Sequence, residues 1–307
     1  MSTYAVIGKS VPGVDAAQKA RGEAVFISDV KLNGMLHGKI LRSPLPHAEI
    51  LNIDTSAAKK LPGVKAVITA EDTSRIPFCI NLQWANKLPL QDDRVRYIGD
   101  EVAAVAAVSE EVAREALELI RVEYRELPAL FEIDEAMAPG AQLIHSEPRN
   151  IAISMSREFG DVDKGFREAH LVVEDEFEAP PVAHFCMESR GCLTSYDGSK
   201  LTVWSTTQTP HPLRYELAQA LNVSVSRINV IDKFVGGGFG SRMGIDAIEI
   251  VSALLAMKTG KPVRVVNTRG EEFETSRCRY PMKIKIKTGC RKAGRLIARE
   301  ATVFTDN

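Results

Sequence analysis

The sequence predicts a mixed α/β (α+β) fold in two units, and two segments carry that prediction. Residues 96–127 begin with a buried strand and end with the alternating strand RVEYREL, and a helix that Ser109 caps lies between them. In the second segment, FVGGGFGSRM (234–243) follows an Ile/Val-rich strand at 227–235 and precedes a helix at 245–260. Strands that alternate with helices indicate a layered α/β architecture.

The remaining elements follow the same pattern. Residues 131–150 form a linker with a loop-like composition, so the boundary between the units falls near residue 130, and the second unit spans 151–307. We expect a further helix at 212–221. We also expect strands at 169–178, 190–196, 201–208, 261–268, 282–289 and 296–304.

The three consecutive glycines, Gly236 to Gly238, are the most informative local feature. Glycine can adopt positive φ, so main-chain N–H groups could face a phosphate or a pterin-like ligand at the helix N-terminus. A nucleotide P-loop is excluded because no Gly-Lys-Ser/Thr run exists. A dinucleotide fingerprint would place Ser241 at its third glycine position, which makes NAD a weak interpretation. A tight turn without any ligand stays open.

Composition excludes several classes. The 307 residues carry a net charge of −1, which gives no electrostatic basis for binding nucleic acid or an anionic membrane surface. No apolar run reaches the length of a membrane span, so we expect a cytoplasmic protein. The five cysteines form no Cys-x-x-Cys pair, which predicts buried free thiols and no iron–sulfur cluster in this chain. A reactive role for Cys186 or Cys192 stays open.

Two motifs together resemble a known family. STTQTPHPLR (205–214) and the glycine segment resemble the molybdenum-binding subunits of the xanthine dehydrogenase and aldehyde oxidoreductase family, the molybdenum hydroxylases. Segments 37–72 and 95–129 are similar to its N-terminal α/β hammerhead domain. HFCMESRGC (184–192) is similar to its Met-Glu segment, with Ser189 where proline is usual. The resemblance implies a hammerhead domain (1–130) followed by the N-terminal half of a molybdopterin-cofactor-binding domain (151–307).

The resemblance also implies residue roles. The Gln208 amide would donate to a molybdenum oxygen, and the backbone of Phe239 and Gly240 would lie against the pterin. No side chain need coordinate the metal, because the cofactor's own sulfur and oxygen atoms bind it. The implied cofactor-binding residues are Gln208, Gly237, Gly238, Phe239, Gly240 and Arg242.

Several neighbouring residues keep two interpretations. Arg242 either neutralises the pterin phosphate or pairs with a carboxylate. Met243 stands where purine-hydroxylating members carry a substrate-binding glutamate, so it either faces a substrate other than a purine or packs in the core. His184, Met187 and Glu188 lie near the cofactor by resemblance only, and we expect the histidine and the glutamate to be buried with satisfied hydrogen bonds.

The implied activity is the hydroxylation (or reduction) of an aldehyde, an N-heteroaromatic compound or an aromatic CoA thioester, with oxygen derived from water. The implied cofactor is molybdenum-molybdopterin, including its cytosine dinucleotide form. The general-base glutamate and the C-terminal half of the molybdenum subunit are expected downstream of residue 307, so this chain carries no catalytic base and should be inactive alone. A 2Fe-2S subunit, an FAD subunit and an oligomeric assembly complete the expected enzyme. A non-catalytic remnant or assembly module, and more distantly an NAD-linked dehydrogenase, are the alternatives.

Overall fold

The computed structural model describes residues 4–79 and 85–306. Its strands are β1 (Leu36–Arg42), β2 (Ala48–Asp54), β3 (Val64–Ile68), β4 (Arg94–Val95), β5 (Glu101–Ala107), β6 (Arg121–Glu126), β7 (Leu171–Ala179), β8 (Gly191–Tyr196), β9 (Leu201–Ser205), β10 (Ile228–Ile231), β11 (Val263–Val266), β12 (Met282–Cys290) and β13 (Leu296–Thr305). Its α-helices are α1 (Ala16–Ala20), α2 (Ser56–Lys60), α3 (Glu110–Glu118), α4 (Ile133–Ala136), α5 (Val162–Arg167), α6 (Pro210–Ala220), α7 (Ala247–Thr259) and α8 (Arg269–Thr275).

A seven-stranded mixed sheet, in the order β10-β9-β8-β11-β1-β5-β3, forms the centre of the molecule. Strand β1 from the first predicted unit pairs in parallel with β11 from the second, with Leu36 opposite Val263. The two units therefore share one continuous sheet, and the boundary near residue 130 does not divide it. The remaining strands form two separate three-stranded sheets, β4-β2-β6 and β13-β12-β7. No helix among the described residues is both long and apolar enough to span a membrane.

Strand β5 explains how this sheet is buried on both faces. Its alternate residues Ala104 and Ala106 belong to the cluster that includes α7. The intervening residues Ala103 and Val105 belong to a second cluster with α3. Because side chains alternate across a strand, the small residues of EVAAVAA let helices approach both sides. This burial is what the apolar run predicted.

Helix α7 is almost entirely buried, and its ends are closed by the chain itself. The Asp246 side chain caps the first N–H groups, Glu249 completes the capping box, and Gly260 ends the helix with φ of 62°. The helix begins seven residues after Gly240. The prediction that the glycines present N–H groups at a helix N-terminus is therefore wrong, because that N-terminus is already satisfied by carboxylates.

The other predicted elements are confirmed with shifted ends. The strand predicted at 227–235 covers only Ile228–Ile231, because the chain leaves the sheet before the glycines. The helix predicted at 212–221 starts earlier, with Pro210 in its first turn. The strand predicted at 169–178 is β7.

A buried charged cluster joins the first part of the chain to the second. The Glu101 carboxylate accepts from Arg42 Nη1 at 2.6 Å and forms an ion pair with Lys87 Nζ at 2.7 Å. Arg42 also lies 3.5 Å from Glu271 of α8. Next to this cluster, burial and the neighbouring Glu101 charge raise the pKa of Asp100 to about 6.

We predict that Asp100→Asn stabilises the protein at neutral and higher pH. The folded protein holds the Asp100 proton more tightly than the unfolded chain does. Its contribution to stability is therefore present below about pH 4 and lost as the pH rises through about 6. The substitution should raise the free energy of unfolding by about 1 to 3 kcal/mol near about pH 8 and by much less near about pH 4. Urea unfolding across this range measures it. The exposed Glu115→Gln variant should show no such pH-dependent gain.

Candidate functional site

Four chain segments meet at one edge of the central sheet because of strand direction. Strand β9 ends at this edge and β10 runs parallel to it, so Gln208 and the glycine segment emerge together. Strand β8 is antiparallel to both β9 and β11, so its start at Gly191 meets their ends. The Met-Glu segment before β8 and the start of α8 after β11 therefore reach the same edge. Residues far apart in the sequence become neighbours through this topology.

Gln208 is bound to the glycine segment through its side chain and its backbone. Its Oε1 accepts from the Gly240 N–H at 2.9 Å, and its own N–H donates to the Arg242 carbonyl at 3.0 Å. The side chain crosses Gly238 so closely that a Cβ at Gly238 would lie 2.5 Å from the Gln208 Cδ. Only glycine fits beneath this amide. Within the described residues, Gln208 Nε2 has no acceptor and the side chain is exposed.

The glycine segment also presents unused backbone donors. The N–H groups of Gly237, Gly238 and Phe239 bond to no acceptor in residues 4–79 and 85–306. Gly237 has φ of 112° and Phe239 has φ of 51°, which costs an aromatic residue about 1 to 2 kcal/mol. The Phe239 side chain is 72% exposed, so packing within the described residues does not offset this backbone strain. Successive free N–H groups beside a free amide fit a ligand rich in oxygen, such as a pterin phosphate or a metal-oxo group.

Glu188 holds the other end of this loop. Its Oε2 accepts from the Gly236 N–H at 2.7 Å and from Arg242 Nη1 at 3.1 Å, while Arg242 Nη2 donates to the Glu188 carbonyl. Arg242 is only 1% exposed and also lies 3.5 Å from Glu272. Of its two interpretations, the structure shows the one in which Arg242 pairs with carboxylates. Its guanidinium is not accessible to a phosphate in this structure and instead supports the loop from behind.

The remaining candidates divide between surface and interior. Met187 is 90% exposed and Met243 is 42% exposed, so neither is a core-packing residue. His184 is part-buried, its Nδ1 has no partner among the described residues, and its Nε2 would lie 3.9 Å from a Cβ on Gly240. Glu188 Oε1 is likewise buried without a partner. The expectation of a fully satisfied buried histidine and glutamate is therefore wrong at these two atoms.

The cysteines have different environments. Cys186 is buried, and its Sγ lies 3.9 Å from both the Gly238 carbonyl and Ser241 Oγ, which makes it part of the loop's support. Burial raises the pKa of the Cys192 thiol to about 12, which is unfavourable for a nucleophile. All five cysteines are free, and Cys79, Cys278 and Cys290 are only part-buried. The described residues contain no cluster of three or more His, Cys, Asp or Glu side chains that could hold a metal ion.

Sequence reasoning missed Arg190, the buried centre of the site. Its guanidinium binds both Glu249 carboxylate oxygens at 3.0–3.2 Å and Asp246 Oδ2 at 3.3 Å. Burial by itself would disfavour the charge, but Glu249 and Asp246 more than offset this and raise the pKa of Arg190. Burial alone would raise the pKa of the Asp246 carboxyl, but the Arg190 charge outweighs this and lowers that pKa to about 2. A lone arginine before a strand gives no sequence signal of such burial.

The segment between the glycines and α7 has no regular structure, yet every carbonyl from 241 to 245 accepts a hydrogen bond. Arg190 donates to the carbonyls of Ser241 and Gly244. Arg277, also missed by sequence reasoning, donates to the carbonyls of Met243 and Ile245, the latter at 2.7 Å. The Gln208 N–H reaches the fifth, on Arg242. Two guanidinium groups and one amide therefore replace helix or strand hydrogen bonds here.

We predict that Arg190→Met destabilises the protein by about 3 to 5 kcal/mol, because it leaves Glu249 and Asp246 buried without a counter-charge. Chemical denaturation monitored by circular dichroism measures this loss. The double variant Arg190→Met/Glu249→Leu should recover part of it, since it removes the buried charge as well. Equal stability of Arg190→Met and the wild type would show that the network does not hold this region.

Comparison with known proteins gives two family matches along this chain. The family model for the aldehyde oxidase and xanthine dehydrogenase a/b hammerhead domain matches residues 21–128, and that for the molybdopterin cofactor-binding domain matches residues 144–307. A probable xanthine dehydrogenase subunit from Bacillus subtilis is 38% identical over 95% of this chain and 39% of its own length. A nicotinate dehydrogenase large molybdopterin subunit from Eubacterium barkeri is 36% identical over 99% of this chain and 71% of its own length.

The solved structure of quinoline 2-oxidoreductase from Pseudomonas putida 86 superposes with a TM-score of 0.86 at 30% identity, over 98% of this chain and 39% of that one. This chain thus spans well under half of two of these three proteins and 71% of the third. The two family matches lie in the order that the sequence predicts, with the hammerhead domain first. The chain therefore belongs to the aldehyde oxidase and xanthine dehydrogenase family of molybdenum hydroxylases.

Proposed function

We propose that this chain is the part of a molybdenum hydroxylase catalytic subunit that binds one side of the molybdenum-pterin cofactor. The observation that carries the proposal is the Gln208 amide, whose oxygen is held by the Gly240 N–H while its NH₂ group lies at the surface and contacts no acceptor among the described residues. Fixing the oxygen fixes the direction of the amide nitrogen. A neutral donor held in one direction suits a metal-bound oxygen, because it stabilises developing negative charge without adding a cation.

The chain's residues bind and orient, and the bound cofactor supplies the redox chemistry. The N–H groups of Gly237, Gly238 and Phe239, which meet no acceptor in the part of the chain that the structure describes, would hold oxygen atoms of the cofactor, and the glycines let the backbone approach closely. Glu188 and Arg242 hold the loop from its buried side, so its donors point outward. Phe239, strained and exposed, would cover the cofactor's apolar surface. The cytosine dinucleotide form is within the proposal.

The general base is proposed to come from residues outside this chain. Among the described residues, Glu188 and Glu272 both contact the glycine segment, and Oε2 of Glu188 is already engaged by Gly236 and Arg242. Both carboxylates pair with the Arg242 guanidinium, which gives them a structural role. Relatives that extend well beyond the matched region have room for the missing base. The Eubacterium barkeri relative, of which this chain spans 71%, indicates that shorter molybdopterin polypeptides also occur.

The substrate class proposed first is an N-heteroaromatic compound. Relatives named for nicotinate and quinoline act on such rings. In this chain Met243 presents a part-exposed apolar side chain beside the glycine segment, where a glutamate would be needed to bind a purine. Aldehydes and aromatic CoA thioesters share the electron-poor carbon that this chemistry requires. Iron–sulfur and FAD partner subunits would remove the electrons.

We predict that the chain spanning 1–307 binds little or no molybdenum and has no hydroxylase activity when it is purified alone. It presents donors to one side of the cofactor, and the general base is proposed to lie outside residues 1–307. Elemental analysis and a dye-reduction assay measure both properties. Stoichiometric molybdenum together with turnover by the isolated chain would falsify the proposal of an incomplete site.

In the assembled enzyme, we predict that Gln208→Ala lowers kcat on the order of 100-fold with unchanged molybdenum content, because one oriented donor is lost. Global folding should be unaffected, since the side chain is exposed and its loss removes only the hydrogen bond to the Gly240 N–H. The exposed Gln219→Ala on α6 is the matched control and should retain full activity. Wild-type kcat in Gln208→Ala would remove Gln208 from the site.

A different failure is expected for Gly238→Val. Even a Cβ at this position would lie 2.5 Å from the Gln208 side chain, so valine must displace both the amide and the loop donors. We predict loss of molybdenum itself rather than of kcat alone, as measured by elemental analysis of the assembled enzyme. Normal molybdenum content in this variant would contradict close approach of the cofactor to the loop.

A further inference from the structure

Helix α8 lies between the hammerhead part of the chain and the candidate site. On the hammerhead side, Gly99 has φ of 101°, and a Cβ added to it would lie 3.0 Å from Cγ2 of Thr275, so glycine lets this loop pack against the helix. On the site side, Arg269 donates to the carbonyls of Cys186 and Met187 at 2.7 and 2.6 Å. The short helix therefore contacts both parts of the chain.

Two consecutive glutamates of α8 contact opposite neighbours. Glu271 lies 3.5 Å from Arg42 of β1, and its other oxygen accepts from the N–H of the helix's N-cap residue at 2.6 Å. Glu272 lies 3.5 Å from Arg242 and accepts from the Arg190 N–H at 2.8 Å. The first turn of α8 is thus held between one arginine of the hammerhead and two arginines of the candidate site.

A second connection runs through the residues that precede α8. Arg42 Nη2 donates to Asn267 Oδ1 at 3.3 Å, and the Asn267 N–H donates to the Arg190 carbonyl at 2.9 Å. Arg190 in turn donates to the carbonyls of Ser241 and Gly244. Arg42 is therefore linked to the same guanidinium that holds the segment after the glycines.

The side chains along this path are buried. Their exposed fractions lie between 1% and 19% for Glu101, Arg42, Glu271, Glu272, Arg242 and Glu188. Water screens buried charges little, so a carboxylate that loses its guanidinium must move or take up a proton. Loss of Arg42 would leave Lys87 to neutralise Glu101, but it would disturb Glu271 and with it the first turn of α8.

We propose that Arg42 is a positioning residue for the cofactor-binding donors of the glycine segment, and that it acts through α8. Arg42 fixes the first turn of α8 from the hammerhead side. That turn orients Arg190 and Arg242, and the path ends where Glu188, paired with Arg242, accepts from the Gly236 N–H. The inference rests on the proposed function for the identity of the ligand, whereas the link from Arg42 to the glycines is a property of the chain alone.

Hydrogen exchange of the chain 1–307, followed by mass spectrometry on peptides that cover 234–243, tests the link without any cofactor. Arg42→Lys keeps a cation for Glu101, but one ammonium group cannot also reach Asn267 and Glu271. We expect the variant to stay folded and the hydrogen-bonded amides of Gly236 and Gly240 to exchange about tenfold faster. Peptides from α7 should exchange as in the wild type.

The matched control is Lys258→Met. It removes the ion pair between Lys258 of α7 and Asp72, which also joins the two parts of the chain but does not pass through α8. This variant should leave exchange in 234–243 unchanged. Wild-type exchange of the glycine segment in Arg42→Lys overturns the link, and so does an equal rise in every peptide, which would show general loosening of the fold.

A double-mutant cycle tests the route through α8. Glu272→Gln should by itself speed exchange in 234–243, because it weakens the contacts of α8 with Arg242 and Arg190. If Arg42 acts through the same helix, adding Arg42→Lys to this variant should change the rate less than about twofold. Independent effects, in which the two fold-changes multiply, would show that Arg42 does not act through α8.

Molybdenum retention in the assembled enzyme tests the role toward the cofactor. Arg42→Lys should lose molybdenum about tenfold faster than the wild type during dialysis, as measured by elemental analysis, because the donors are less well held. Lys258→Met should retain it as the wild type does. Faster exchange in the chain with unchanged molybdenum retention would keep the link from Arg42 to the glycines but overturn the assignment of these donors to the cofactor.

Discussion

The geometry of the candidate site depends on one buried guanidinium. Arg190 directs its N–H groups to Glu249, Asp246 and the carbonyls of Ser241 and Gly244. A guanidinium is always charged and has a rigid set of donors, so it can satisfy several acceptors at fixed angles where a flexible ammonium could not. The irregular segment before α7 has no regular backbone hydrogen bonds of its own, so its conformation is determined by this side chain and by Arg277. These hydrogen bonds from Arg190 and Arg277 also fix the position of the glycine segment.

The fold and the site differed in how far the sequence predicted them. The family and the order of its domains were predicted from the resemblance of several motifs. Most strands followed from local patterns, because alternation and helical spacing are set by residues close together in the chain. The position of α7 was also predicted, but its closed N-terminus was not. That closure requires Asp246 and Glu249 to be used as caps while they also neutralise Arg190. No local sequence pattern indicates that one carboxylate both caps a helix and neutralises a buried arginine.

Within the site, the resemblance identified Gln208 and the glycine segment, and the structure brings them within hydrogen-bonding distance. Their roles toward a cofactor stay predictions. Arg242 shows the limit of motif reasoning, since a cation beside a glycine loop suggests a phosphate, whereas its burial among Glu188 and Glu272 gives it a structural role. Arg277 was missed for a related reason. Arg277 donates to main-chain carbonyls, and every residue type has the same carbonyl, so the sequence of the accepting segment gives no sign of the contact.

The pairing of β1 with β11 also has a consequence for how the chain acquires its structure. Leu36 pairs with Val263, which lies more than two hundred positions later in the chain. The middle of the central sheet therefore cannot form until both strands are present. Contacts between residues so far apart in the sequence slow folding, because the entropy of closing a large loop is lost before the contacts contribute any stabilising energy. During synthesis, the hammerhead strands emerge with one side of β1 unpaired and remain so until β11 leaves the ribosome. The hammerhead strands are thus the part of this chain that most needs protection from aggregation while it is made.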